Sequence, residues 1–387
     1  MIADRCKDIT SFIVMDVLEK AKEMEANGIN VIHLEVGEPD FDAPCCIRDA
    51  VVKALDEGHT HYTHSLGMLE LREAIAKYYK RRYNVSFDPD QVAVSSGTSP
   101  VMFVLFSAIL DEGDEVIISD PHYACYPNFI KFAGGIPVCV NVNEDDGFQL
   151  RVEEIQKKLT AKTKAVFINS PSNPTGNLLS VEAMEALGAF SKETGIAIVS
   201  DEIYHGLVYE GKEHSILEYT DNAFVLNGFS KQFAMTGLRL GYLVSPKEYM
   251  RTIQKLQQNF FISATAMVQI AGIAALEKAD EDVKRMRETY NERRKFIIKR
   301  LREIGFGITV EPTGAFYVLA NAKKYTGDSY KFAFDILEKA HIGVTPGIDF
   351  GKNAEGYLRF SYANSVENIA EGMNRLEKYI QENYPNS

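Results

Sequence analysis

Short β-branched runs alternate with segments of helical period from about residue 90 to 245, which predicts an α/β fold. The expected form is a three-layer α/β/α large domain around a mostly parallel sheet, with a smaller α+β domain built from both chain ends. Two further observations support it. The runs end near turn or polar residues, and both flanks of the alternating block carry helix and strand signals of their own. At 387 residues the chain is also longer than one ordinary core requires, so two domains are expected.

Taken in order, residues 1–12 read as an N-terminal arm. Val14, Val17, Leu18, Ala21 and Met24 then trace one helix face that Gly28 closes, and Val31–Val36 follows as a strand. The alternating block supplies strands at Val92–Ser95, Glu115–Ser119, Val138–Val142, Ala165–Asn169, Ala197–Asp201, Phe224–Gly228 and Gly241–Ser245. In open α/β sheets ligands collect outside the carboxyl ends of strands, so the chemistry is sought there. Pro246–Leu276 and Glu281–Ile304 read as long helices, and a last helix ends near Tyr384. The small domain is drawn over 13–44 and 285–387, the large one over 45–284.

Composition narrows the function. A net charge of −12 argues against a protein that grips phosphate backbones, so no nucleic acid partner is expected. The longest apolar run, Val101–Leu110, is short of the ~20 residues that cross a bilayer, and no membrane partner is expected either. MIADRCKDIT shows no secretory pattern, and the five cysteines include no C-x-x-C pair, so a cytoplasmic chain with reduced thiols is expected. His59, His61 and His64 lack a second ligand group of suitable spacing; they read as a polar loop, and no metal site is expected. Gly206–Glu213 nearly matches a phosphate-binding loop, but Glu213 stands where a hydroxyl is needed and no helix opens there.

Four strand ends carry residues that ask for one ligand. Ser95-Ser-Gly-Thr-Ser99 joins a strand to an apolar helix, leaving backbone N–H groups free to hold an anion. Asn169-Ser-Pro-Ser-Asn-Pro-Thr-Gly176 fixes the Asn173 amide in a tight turn. Asp201 closes an apolar strand with a charge that needs a cation, and Tyr204 follows three residues later. Lys231 sits just past the next strand, with Arg239 eight residues on. A phosphate for Gly97, Thr98 and Arg239, a ring nitrogen for Asp201, a ring oxygen for Asn173 and Tyr204, and an aldehyde for Lys231 are the four groups of pyridoxal 5′-phosphate (PLP).

The sequence resembles the class I/II aminotransferases of PLP fold type I from about Val36 to the C-terminal helix. The matching motifs are Gly37-Glu-Pro-Asp-Phe41, Tyr62-x4-Gly67 with Leu71-Arg72, Ser96-Gly-Thr98, Pro121-His-Tyr123, Asn173-Pro-Thr-Gly176, Asp201-Glu-Ile-Tyr204, Ser230-Lys231, Gly237-Leu-Arg239 and Arg359. The resemblance implies transfer of an amino group between an L-amino acid and a 2-oxo acid by a ping-pong route through pyridoxamine phosphate. It implies that Lys231 carries the cofactor as a Schiff base and shuttles the proton, while Asp201 keeps the ring nitrogen protonated. Asn173 and Tyr204 bond the ring oxygen, Tyr123 stacks on the ring, and Gly97, Thr98, Ser230 and Arg239 take the phosphate. Arg239 is expected to be buried against that anion. Tyr62 reaches the neighbouring subunit's phosphate, implying a homodimer with shared active sites. Spacing alone leaves Arg359 between a surface strand arginine and a ligand; the resemblance assigns it to the substrate carboxylate, beside Gly37 and Asn173.

Two positions depart from the family. Gly228 stands where members often have a phosphate-binding serine, so Ser230 is left to compensate; Ser99 replaces the lysine found in some aspartate-using members. The second departure points to neutral or aromatic substrates. PLP-dependent C–S lyases share the scaffold and form the alternative reading, while a regulator of the same fold would need a DNA-binding region that this chain lacks.

Overall fold

The computed structural model describes residues 2–3 and 6–385; of the expected arm, residues 1, 4 and 5 lie outside that set. Strand β1 is short, Ile32–His33, because the chain turns away toward Gly37 and Pro39 where the Val31–Val36 strand was expected to continue. Next come β2 (Val92–Ser95), β3 (Glu115–Asp120), β4 (Ile136–Asn141), β5 (Thr163–Asn169), β6 (Ala197–Asp201), β7 (Ala223–Gly228) and β8 (Gly241–Val244). They form one seven-stranded sheet in the order β2-β8-β7-β6-β5-β3-β4. Only β8 runs against the others.

Alternate side chains leave a strand on opposite faces, and here both faces are covered. Val116, Ile118, Ala165, Phe167, Val199 and Leu226 enter one core with the helix Thr98–Ile109; Ile117, Val166, Ile168, Ile198 and Val225 enter the other. That makes three layers, and it explains why these strands read as continuous apolar runs.

The second, smaller unit joins the chain ends. Antiparallel strands β9 (Tyr317–Asn321), β11 (Thr345–Pro346) and β12 (Tyr357–Ser361) form a sheet in the order β11-β12-β9, while β10 (Ile342–Gly343) pairs in parallel with β1. One expectation is corrected: Pro246–Leu276 is two helices, Lys247–Phe260 and Ala266–Lys278. The break has a tertiary cause. Ile262 adopts φ 64°, and Ser263 Oγ accepts a hydrogen bond from Thr63 N at 3.3 Å, docking the break on the Tyr62 loop.

Candidate active site

Because β2, β5, β6 and β7 point the same way, their carboxyl ends share one edge, and β8 begins there. This brings Thr98, Asn173, Asp201 and Lys231 together from positions up to 133 apart in the chain, with Arg239 entering just ahead of β8 and Gly97 beside it. A cavity of about 420 Å³ opens at that edge. Its lining includes Gly37, Thr98, Tyr123, Asn173, Asp201, Tyr204, Ser230, Lys231, Arg239 and Arg359.

Lys231 is half-buried, and its Nζ donates to the Gly37 carbonyl at 2.6 Å. Burial, then the nearby Arg359 and Arg239, pull its pKa down to about 8, against the opposing pull of Glu38 and Asp201. A sizeable fraction of this amine is therefore neutral near pH 8. Asp201 is buried and accepts from Tyr126 Oη at 2.8 Å and Ile203 N at 3.1 Å. Neither donor is charged, and burial raises its pKa to about 6. Lys231 is the nearby cation, but it makes no direct ion pair with Asp201, and its pull does not offset the burial.

The anion cradle is built from backbone. Helix Thr98–Ile109 begins at Gly97, whose φ is 101° and whose missing Cβ leaves room: one placed there would lie 2.7 Å from Arg239 Nη2. Gly241 opens β8 equally close, since a Cβ on it would lie 2.6 Å from the Gly97 carbonyl carbon. Arg239 is exposed in this chain, at φ 58°, with Nη1 donating to Thr236 O at 2.9 Å, and its place on the cavity wall beside Gly97 carries its case. Ser230 is buried and lines the cavity. At Gly228 a Cβ would meet Leu240 O at 3.0 Å and Gly241 Cα at 3.1 Å, which explains a glycine where a serine is common.

Arg359 is 2% exposed, which removes the surface-strand reading. Nη1 donates to Asn173 Oδ1 at 2.9 Å; Nη2 donates to Glu35 O and to Thr345 Oγ1 at 3.1 Å. The guanidinium lies 4.4 Å from the Tyr317 ring centroid and 4.8 Å from that of Phe350. No carboxylate pairs with it among the described residues, and Nε lacks a hydrogen-bond partner. A fully buried cation with neutral partners is poised for an anionic ligand.

Tyr204 Oη and Tyr317 Oη are 2.8 Å apart, and Tyr123 lies on the cavity wall with its ring edge against Phe12. Tyr62 is set apart from the rest: 81% exposed and outside its own chain's cavity. Tyr126 and Tyr317 were missed in the sequence. Tyr126 lies 75 positions from the carboxylate it bonds, and nothing local marks it; Tyr317 sits on a buried strand, where aromatics are ordinary. The five cysteines are unpaired, and the described residues contain no group of His, Cys, Asp and Glu able to hold a metal.

An amine in reach of a buried carboxylate, with separate cradles for two anions, defines an enzyme that works through a phosphorylated carbonyl cofactor. The sequence matches the family Aminotransferase class I and II over residues 29–376. It is 43% identical to the (5-formylfuran-3-yl)methyl phosphate transaminase of Methanocaldococcus jannaschii, covering 98% of this chain and 100% of that one. The aspartate aminotransferase of Pyrococcus horikoshii is 40% identical, with 98% and 97% covered. A solved Thermus thermophilus aspartate aminotransferase variant complexed with tryptophan superposes with a TM-score of 0.95 at 37% identity, covering 98% and 99%. The chain belongs to the class I and II aminotransferases, and it is a PLP-dependent transaminase. These matches give the lyase alternative no support. The residues present fit PLP: the buried Asp201 has only neutral hydrogen-bond donors, and Gly97 leaves open the space beside Arg239.

Proposed function

We propose that this transaminase acts on L-amino acids with neutral or aromatic side chains and a 2-oxo acid acceptor, using the residues gathered at the sheet edge. The observation that carries this reading is the charge inventory of the cavity. Among the described residues its cations are Lys231, Arg239 and Arg359, each with a task, and none of these is left over for a second substrate carboxylate. Ser99 lines the wall where a lysine would have served one, and Phe12, Val14, Met15 and Val36 give the cavity an apolar side. Relatives are named for aspartate and for a furan phosphate, so the choice is testable.

When bound, PLP supplies the electron sink that allows a Cα proton to leave and the amino group to change hands. Lys231 Nζ would hold the cofactor and, when released, would be the group to move that proton, a task suited to an amine with a pKa near 8. Asp201 Oδ accepts from the ring nitrogen and, as a carboxylate, favours its protonated form. Tyr126 orients Asp201. Asn173 and Tyr204 would donate to the ring oxygen, and Tyr123 would cover the ring. The N–H of Thr98 with Gly97, Ser230 and Arg239 would hold the phosphate. Arg359 forks onto the substrate α-carboxylate, aligned by Asn173 and bounded by Gly37.

The enzyme works as a homodimer in the cytoplasm, with Tyr62 completing the partner's phosphate site. Support comes from the surface beside it: Phe260, Phe261 and Ile262 are exposed next to the Tyr62 loop, an apolar area of the kind an interface covers. Residues 45–284 form the cofactor-binding domain, and 13–44 with 285–387 the small one.

Assaying a panel of 2-oxo acids against several L-amino acids tests the substrate reading. Turnover is expected with neutral and aromatic donors; strict preference for aspartate and 2-oxoglutarate overturns it. Lys231→Ala is expected to lose the long-wavelength absorbance of bound cofactor and nearly all turnover, and retention of either ends the assignment.

A further inference from the structure

Within Val31-Ile-His-Leu-Glu-Val-Gly37, a carboxylate and an imidazole two residues apart leave the chain on the same side. Glu35 is fully buried. Its Oε1 lies 2.6 Å from His33 Nδ1, and its Oε2 has no hydrogen-bond partner. Gly343 of β10 makes the space, because a Cβ there would come within 2.0 Å of Oε2. His33 Nε2 in turn meets Glu25 Oε1 at 3.1 Å, extending the chain of contacts to the exposed face of the first helix. A buried carboxylate with one free oxygen is costly unless its single partner is a cation.

The backbone of the same residue faces the active site. Glu35 O accepts from Arg359 Nη2 and from Thr345 Oγ1, and two residues on Gly37 O accepts from Lys231 Nζ. The main-chain position that aims Arg359 is therefore pinned by a side chain buried outside the cavity. We propose that His33 and Glu35 are positioning residues for Arg359: a proton on His33 anchors Glu35, whose carbonyl sets the guanidinium for the substrate carboxylate. This rests on the reading of Arg359 given above.

The groups facing His33 are Glu25 from the first helix and Glu35 from its own segment; the last helix brings Arg375, engaged by Glu371 and Asn30, and β10 is preceded by His341. The Glu35 hydrogen bond raises the imidazole pKa above its usual value against the opposing effect of burial. The protonated pair is thus complete below the usual histidine value and is lost as pH rises through the raised one. KM for the amino acid should climb on that alkaline side.

The test compares kcat and KM across pH for the holoenzymes of wild type, Glu35→Gln, His33→Asn and Arg359→Lys, with an amino acid donor taken from the active panel. Cofactor absorbance and thermal unfolding confirm that each variant is folded, and His33→Asn carries the test alone if Glu35→Gln is not. Glu35→Gln and His33→Asn should raise KM about tenfold, as when one charge-assisted bond is misaligned, leave kcat within about twofold, and flatten the alkaline rise. A wild-type KM profile in both, or a loss confined to kcat, overturns the inference while Arg359→Lys still raises KM. An unchanged KM in Arg359→Lys overturns the Arg359 reading instead.

Discussion

Asp201 illustrates how a single residue can be held at a cost to the fold. Its pKa rises from an ordinary 3.8 to about 6 because burial removes water and only neutral donors replace it. A raised carboxyl favours the folded state most when protonated, so its contribution is present below pH 4 and is lost as pH climbs to about 6. The cofactor-free protein is therefore expected to lose on the order of 2–3 kcal/mol from this group over that window. Asp201→Asn should remove the loss, making the apoprotein more stable than wild type at pH 7 while abolishing transamination; thermal unfolding across pH checks the sign. Gly37 makes the opposite case. A Cβ there would fall 1.9 Å from Tyr317 Oη, which pairs with Tyr204. Gly37→Ala should cost about 1–3 kcal/mol in denaturant unfolding through overpacking and raise KM as the Tyr204 and Tyr317 pair shifts.

At the scale of elements, the decisive feature is the meeting of β2 and β8. Ser95 faces Gly241 in the register, and Gly228 faces Gly241 from the other side. Gly241 is thus wedged between β7 and the loop that starts helix Thr98–Ile109. Its neighbours are backbone atoms, which yield less than side chains. Gly241→Ala is expected to push the Gly97–Thr98 loop away from its anion and weaken PLP affinity by tenfold or more, roughly the loss of one good hydrogen bond to a charged group. Titration of the apoprotein with PLP measures it; unchanged affinity would show that the loop can move at no cost.

Across the whole molecule, the prediction concerns Tyr62 and its surroundings. Phe260 is 57% exposed and Tyr62 81%. A charge at the centre of that apolar area, as in Phe260→Asp, should yield monomers in sedimentation and with them a loss of activity. Tyr62→Phe should keep the dimer and weaken cofactor retention alone. Active monomers would refute the shared site.

Much of this protein was legible in the residues. The seven strands of the large sheet were found to within about two residues: the inner ones because a buried strand must be apolar on both faces and end where polar turns begin, and the more exposed edge strand β4 by its β-branched run. Lys231, Asp201, Asn173, Gly97 and Arg359 stood out because each is chemically awkward in its place: a charge, an amide or a bare backbone at the end of an apolar run. What the sequence left open is whatever depends on distant partners. The burial of Arg359, the break at Ile262, the Tyr126 bond to Asp201 and the Gly343 space that admits the Glu35 side chain all depend on residues with no local mark. Local chemistry determines which residues are worth placing at the strand ends. Packing alone decides how far each is desolvated and what it touches, and those two quantities set the lysine's pKa and the aim of the arginine.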